Sequence, residues 1–284
     1  MVKAAGSALC VEGPQVEEVY YQRTGILLSL LLLGLALSCL IRLPTNIVSF
    51  LAFGSPTTLY ISTPWIMGGL LLLLTISGVY SLVHSQEEKS SPLYSLAFAG
   101  LPSVVILIAL FFLHLLVDRL FFVLGLASAG LLLASILVGQ YQTMRERNSL
   151  WARWGLDVVA YGAAIFFYAL IYGLKARSLL SATGVALVSG ALALELLRGE
   201  GGARRTWLYA LVVGLIMGEV VWVLNYWGAG ALAGGSALLL IFYLITALVR
   251  QHLTRRLDRS LIFEFLLLTV LSLALLGHFF SWSW

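Results

Sequence analysis

The sequence predicts an all-α protein, a polytopic bundle of about nine transmembrane helices. Three observations carry that expectation. Apolar residues come in runs of about twenty, the length that crosses ~30 Å of hydrocarbon at ~1.5 Å per residue. Charged residues are only 11% of the 284 and hydrophobic ones 61%, whereas a soluble domain carries about a quarter charged. The runs are also continuous, unlike the alternating pattern of a membrane barrel. The net charge of +4 reads as arginines in loops on the cytoplasmic face rather than as a nucleic-acid surface.

Residues 1–23 are polar and mildly acidic, and Gly13-Pro14 should break any helix. They read as a cytoplasmic tail, closing in an interfacial turn at Val19-Tyr20-Tyr21. The first span is Thr24–Leu43, closed by Pro44. The uncharged segment PTNIVSFLAFGSPTTLYIST (residues 44–63) follows. It is expected to lie on, or dip into, the outer interface, because irregular backbone at depth needs protein or water around it. The second span opens with Thr63 as a cap, Pro64 in the first turn and Trp65 at the interface, and runs to Val83. A polar loop, His84–Gly100, carries Glu87, Glu88 and Lys89.

Leu101–Gln140 is too long for one span, and Asp118-Arg119 divides it into two helices. The loop Tyr141–Leu150 carries Arg145, Glu146 and Arg147. The fifth span is Arg153–Leu174 and the sixth Leu179–Leu197, with Lys175 and Arg177 between them. After the turn Gly199–Arg205 come a seventh span, Thr206–Trp227, an eighth, Ala231–Val249, and a ninth, Ser260–Phe280. Residues 24–280 thus form one transmembrane domain, and 281–284 a short extracytoplasmic aromatic tail. No internal repeat is evident, so the inverted-repeat logic of transporters has no foothold.

Charge sets the orientation. Thirteen of the seventeen basic residues fall on the N-terminal side of these spans and four (Arg42, Arg119, Lys175 and Arg177) on the other. The N-terminus is therefore expected in the cytoplasm and the C-terminus outside. Trp65, Trp151, Trp154, Trp207, Trp227, Trp282 and Trp284 fall near span ends, as belt residues should, while Trp222 lies inside a span. Cys10 and Cys39 should sit on opposite sides of the membrane and cannot pair.

Ionisable groups inside spans are functional candidates, because each costs ~2.5–3.5 kcal/mol to insert at the helix centre. Most here have a local explanation. Asp157 lies one turn after Arg153 and near the cytoplasmic end, and Glu195 lies three residues before Arg198, a favourable helical pairing. Glu264 lies within reach of the arginines of Arg250–Arg259, and His114 and His278 lie near the outer interface. Glu219 differs. Its helical neighbours Leu215, Ile216, Trp222 and Val223 are all apolar. It stands ~20 Å from the inner end of its helix and ~12 Å from the outer end.

Glu219 is therefore expected to meet a partner from another helix, with His114, His278, Arg42 and Tyr161 as candidates. Trp222, Asn225 and Tyr226 follow it as a polar-aromatic stripe ending at the outer surface. Gly214 and Gly218 form a small-xxx-small face for close packing, and Gly228, Gly230, Gly234 and Gly235 suit a tight hairpin to the next helix. Two readings stand for the stripe. It is an outward-opening site for a proton, cation or polar headgroup, or a single interhelical hydrogen bond. Arg255, Arg256 and Arg259 suit contacts to anionic headgroups or a plain positive-inside anchor. A histidine pair for haem or chlorophyll would need His114 and His278, which lie in no ligand motif. No HExxH, CxxC, Walker loop or aspartate-rich pair occurs. No metal, cofactor or catalytic residue is therefore assigned.

The run GEVVWVLNYW (Gly218–Trp227), the Gly-rich turn and LLLIFYL after it, and LPTNIVSFLAFGSP (Leu43–Pro56) are similar to an uncharacterised family of multipass membrane proteins of Chloroflexi-like bacteria. The resemblance implies a bacterial plasma-membrane location, no activity, and no catalytic residues to carry over. The residues themselves suggest a non-enzymatic integral membrane subunit or accessory protein, in contact with the bilayer and with membrane-protein partners or further copies of itself. A small proton-coupled transporter, or a lipid- or cation-binding protein using Glu219, is the alternative. A membrane-embedded lipid-modifying enzyme would need at least two polar side chains converging on one cavity.

Overall fold

The computed structural model describes residues 12–41, 46–52, 55–61, 63–84, 92–116, 118–145, 150–174, 178–200, 202–226 and 230–254, with helical positions at 267, 270, 272 and 274. Its helices are α1 (Glu12–Leu40), α2 (Thr63–His84), α3 (Pro92–Ala97), α4 (Gly100–Leu115), α5 (Arg119–Arg145), α6 (Leu150–Gly173), α7 (Ser178–Leu197), α8 (Ala203–Leu224) and α9 (Ala231–Leu253). Among the described residues, eight segments are long and apolar enough to cross a membrane, α3 and α4 together forming one of them, Pro92–Leu115. They correspond one for one to the first eight expected spans. The division at Asp118-Arg119 stands where the sequence put it. The expected ninth span lies outside the described residues except for its four helical positions.

Three features differ from expectation. α1 starts at Glu12, so Gly13-Pro14 does not stop it. Proline in a first turn breaks no hydrogen bond, because those N–H groups have no intrahelical partner. The third span starts at Pro92 rather than Leu101, again with proline opening the helix. Between α1 and α2 the chain is not irregular. Strands β1 (Asn46–Ala52) and β2 (Ser55–Ile61) pair antiparallel, with Asn46 opposite Ile61 and Ala52 opposite Ser55. The segment is rich in Ile, Val, Thr, Phe and Tyr, which favour strands. A hairpin also pairs backbone groups that a bare interfacial loop would leave to water or lipid.

α4 is the centre of the bundle. Its span is 67% buried, the highest of the eight, and Leu101, Ile106 and Leu110 are fully enclosed. Helices α1, α2, α5, α6 and α7 all touch it. The remaining helices join as two close pairs, α7 with α8 and α6 with α9. Small residues explain how close. A Cβ on Gly214 would stand 2.5 Å from the Ala186 carbonyl oxygen, and one on Gly235 2.8 Å from the Ala169 Cα. The Gly214–Gly218 face expected from the sequence thus packs on α7, where Gly218 approaches the Ala182 carbonyl. Leucines such as Leu131, Leu187 and Leu211 point outward, toward a medium as apolar as the core.

Candidate functional site

Among the described residues, Arg153, Asp157, Glu195, Arg198, Glu200 and Arg250 form ion pairs at one end of the bundle, where α5 and α7 finish and α6 and α8 begin. Glu195 lies in the last turn of α7 and is only 6% exposed. Arg198, in the turn that follows, pairs with it at 2.6 Å, its own side chain 10% exposed. Neither charge is left to the other alone. Gln140 of α5 donates from Nε2 to Glu195 Oε2 (2.9 Å) and to the Phe98 carbonyl (2.9 Å). Arg198 Nη2 donates to Thr143 Oγ1 at 3.3 Å, and its guanidinium lies 3.6 Å over the Phe98 ring. A buried ion pair is tolerable when its remaining lone pairs and protons are met in this way. Burial pulls the Arg198 guanidinium below its usual value, opposed chiefly by the carboxylate of Glu195. Arginine's very high starting value leaves it protonated.

A second layer surrounds this pair. Gly199 adopts φ +89°, the left-handed conformation that ends helices at glycine. The bend carries Glu200 toward α6, where Arg153 Nη2 donates to its Oε1 at 2.6 Å and to the Arg198 carbonyl at 3.2 Å. Arg250 of α9 grips Asp157 with Nη1 and Nη2, both 3.1 Å from Oδ2, and also donates to the Leu196 carbonyl at 2.9 Å. The Arg250 Nε lies 3.6 Å from Glu200. Three arginines and three carboxylates therefore tie α6, α7, α9 and the turn after α7 into one network. Arg153, Asp157, Glu195, Arg198, Glu200 and Trp207 line a cavity of about 440 Å³ in this region. Arg198 Nη1 is buried and meets no acceptor among the described residues.

This cluster was only partly legible. The Glu195–Arg198 pair is expected from its spacing along the helix, and it forms. Asp157, one turn after Arg153, pairs with Arg250 and not with that neighbour. Arg153 turns to Glu200, because Gly199 folds that carboxylate back across α6, and α9 supplies Arg250 to Asp157 instead. Gln140 and Phe98 were missed. The available signal was an amide at the end of an apolar span, at the same depth as Glu195.

The outward stripe comes apart. Glu219 is on the exposed face of α8, with no hydrogen bond or ion pair to another described residue. Its expected partners are engaged elsewhere: His114 Nδ1 lies 2.8 Å from the Leu110 carbonyl, and Tyr161 bonds Thr246 Oγ1 at 3.2 Å. Arg42 and His278 fall outside the described residues. α8 ends at Leu224, which puts Glu219 ~7–8 Å from that end, nearer the surface than the sequence suggested. Trp222 and Tyr226 are exposed on the same side. Asn225, itself exposed, donates to Ser181 Oγ of α7 at 3.3 Å. Neither the 440 Å³ cavity nor an apolar one of about 330 Å³ among α4, α5 and α6 is lined by Glu219. Arg255, Arg256 and Arg259 lie outside the described residues.

Long apolar helices, outward leucines and a charged cluster at one end define a polytopic helical membrane protein. The model of the family described as "Protein of unknown function (DUF5656)" matches residues 43–278, and the chain belongs to that family. No curated protein and no solved structure matches it.

Proposed function

We propose that the protein is a non-enzymatic membrane subunit or accessory protein that packs laterally against another membrane protein through the exposed face of α8. The supporting observation is Glu219, an exposed carboxyl in a row with the outward-facing Leu215, Trp222 and Val223. A carboxyl facing hydrocarbon is costly, up to ~3 kcal/mol at mid-depth and less toward the surface. A neighbouring helix that offers a donor returns ~0.6–2 kcal/mol of that. In this reading the membrane is a bacterial plasma membrane and the arginine-rich end faces the cytoplasm, supported by thirteen basic residues against four.

The test is photo-crosslinking in native membranes from a reactive residue at Leu215 or Trp222. Adducts heavier than one chain are expected from both positions. They should persist in Glu219→Gln, which can still hydrogen-bond, and weaken in Glu219→Leu. Crosslinks confined to a single chain, or none at all, defeat the proposal.

A further inference from the structure

The apolar cavity of about 330 Å³ is a cleft between α5 and α6 with α4 as its floor. Val105, Ala109 and Leu113 of the floor are buried, whereas Phe112, Leu132 and Phe166 at the rim are exposed. Small residues hold it open, Gly125 and Ala129 on α5 and Gly162 and Ala163 on α6. A Cβ on Gly162 would meet nothing within 4 Å. Toward the arginine cluster the same two helices close up, so that a Cβ on Gly139 would touch the Leu156 side chain at 3.4 Å.

The lining makes no polar demand, because its one hydroxyl, on Ser128, already donates to the Gly125 carbonyl at 2.8 Å. Such a space excludes water, yet left empty it forfeits dispersion contacts all round. A hydrocarbon chain satisfies both conditions. At ~30 Å³ per water-sized group, the 330 Å³ takes roughly eleven such groups, most of one acyl chain. Depth agrees. Gly125 and Leu132 stand ~9 and ~20 Å along α5 from Arg119, and one leaflet of hydrocarbon is ~15 Å deep. A chain hanging from a headgroup level with Arg119 therefore passes through the cleft. Asp118 and Arg119 are both exposed at that level, and neither side chain has a partner among the described residues. One negative and one positive group side by side complement a zwitterion. We propose that the cleft binds a phosphatidylethanolamine molecule, one acyl chain lying between α5 and α6, its phosphate at Arg119 and its ammonium at Asp118. The proposal stands apart from the lateral-packing reading, since α8 contributes nothing to the cleft.

The experiment uses the full chain, delipidated in a neutral detergent. Phosphatidylethanolamine or phosphatidylglycerol is titrated back, and native mass spectrometry counts the lipid retained by each chain. Gly162→Leu is the decisive variant, because it fills the cleft from a position where a side chain meets no neighbour. Affinity for the first lipid should fall at least about tenfold as chain contacts are lost, with the unfolding midpoint of the lipid-free protein kept or raised. Ser128→Leu narrows the cleft from the other wall and should act alike, so a folding fault in one variant does not decide the matter. Leu187→Phe, on an outward position of α7 outside the cleft, should leave binding unchanged. Asp118→Asn keeps a residue that can begin α5 and removes the charge that distinguishes the headgroups. It should abolish a preference for phosphatidylethanolamine of up to about fivefold, the scale of exposed ion pairs.

One phosphatidylethanolamine retained by the wild type and by Leu187→Phe, and released by Gly162→Leu and Ser128→Leu, supports the site. Equal retention by the wild type and both cleft variants overturns it, since the lipid then belongs to the general annulus. Equal affinity of the wild type for the two lipids, or stronger binding of phosphatidylglycerol, overturns the assignment to a zwitterionic headgroup and the proposal with it.

Discussion

Gln140 and Glu195 meet inside the bundle: the amide of α5 donates to the carboxylate of α7 across 2.9 Å, fifty-five residues apart in sequence. That bond, together with Arg198, lets a carboxylate lie almost wholly buried. The arrangement makes the cluster a point of interdependence. Removing one member harms the others more than removing the whole set.

A double-mutant cycle should show this. Arg198→Ala leaves the buried Glu195 without its cation and is expected to cost ~3–5 kcal/mol of stability. Adding Glu195→Gln should recover most of that loss, because the remaining amide can still pair with Gln140. Thermal or denaturant unfolding in detergent measures both. If the losses of the two single variants simply add in the double, the pair is not coupled.

Packing of α7 on α8 depends on the absence of a side chain. Gly214→Ala puts a methyl 2.5 Å from a backbone oxygen, which a rigid carbonyl cannot avoid by rotating. A loss of ~1–3 kcal/mol is expected from such overpacking. Gly162→Ala is the matched control, since a Cβ there meets nothing within 4 Å. It should unfold at the wild-type temperature or slightly above. Equal midpoints for the two variants would contradict the close approach.

Tyr168 is wholly buried and its hydroxyl lies 2.7 Å from Ser189 Oγ, linking α6 to α7. Tyr168→Phe should cost ~0.6–2 kcal/mol, the range for hydrogen bonds between membrane helices. Ser189→Ala, which strands the tyrosine hydroxyl in an apolar interior, should cost at least as much. The unfolding midpoints of the two variants decide the order.

Orientation has a direct readout. Trp151 is 92% exposed at the start of α6 and Tyr226 93% exposed just beyond α8, at opposite ends of the bundle. In a chain lacking Cys10 and Cys39, a cysteine at position 226 should react with an impermeant maleimide in intact cells. One at position 151 should react only after the membrane is opened. The reverse pattern would invert the topology.

The sequence by itself determined that the chain is a helical membrane protein, and it located eight of its spans, although the third opens at Pro92 and not at Leu101. It could do so because ~30 Å of hydrocarbon demands about twenty apolar residues in succession, a requirement met locally by each run. It also marked the face of α8 that packs on α7, since Gly214 and Gly218 announce close approach whatever surrounds them. It could not say which way Glu219 points. In a membrane the outward surface is as apolar as the core, so hydropathy carries no record of facing. Only the tertiary structure decided that Glu219 looks outward and that Asp157 belongs to Arg250. The same holds for Glu195, which shares its buried place with Gln140 and Phe98. Such partners are set by how distant helices are brought side by side, and residue spacing along one helix reports only its own neighbours.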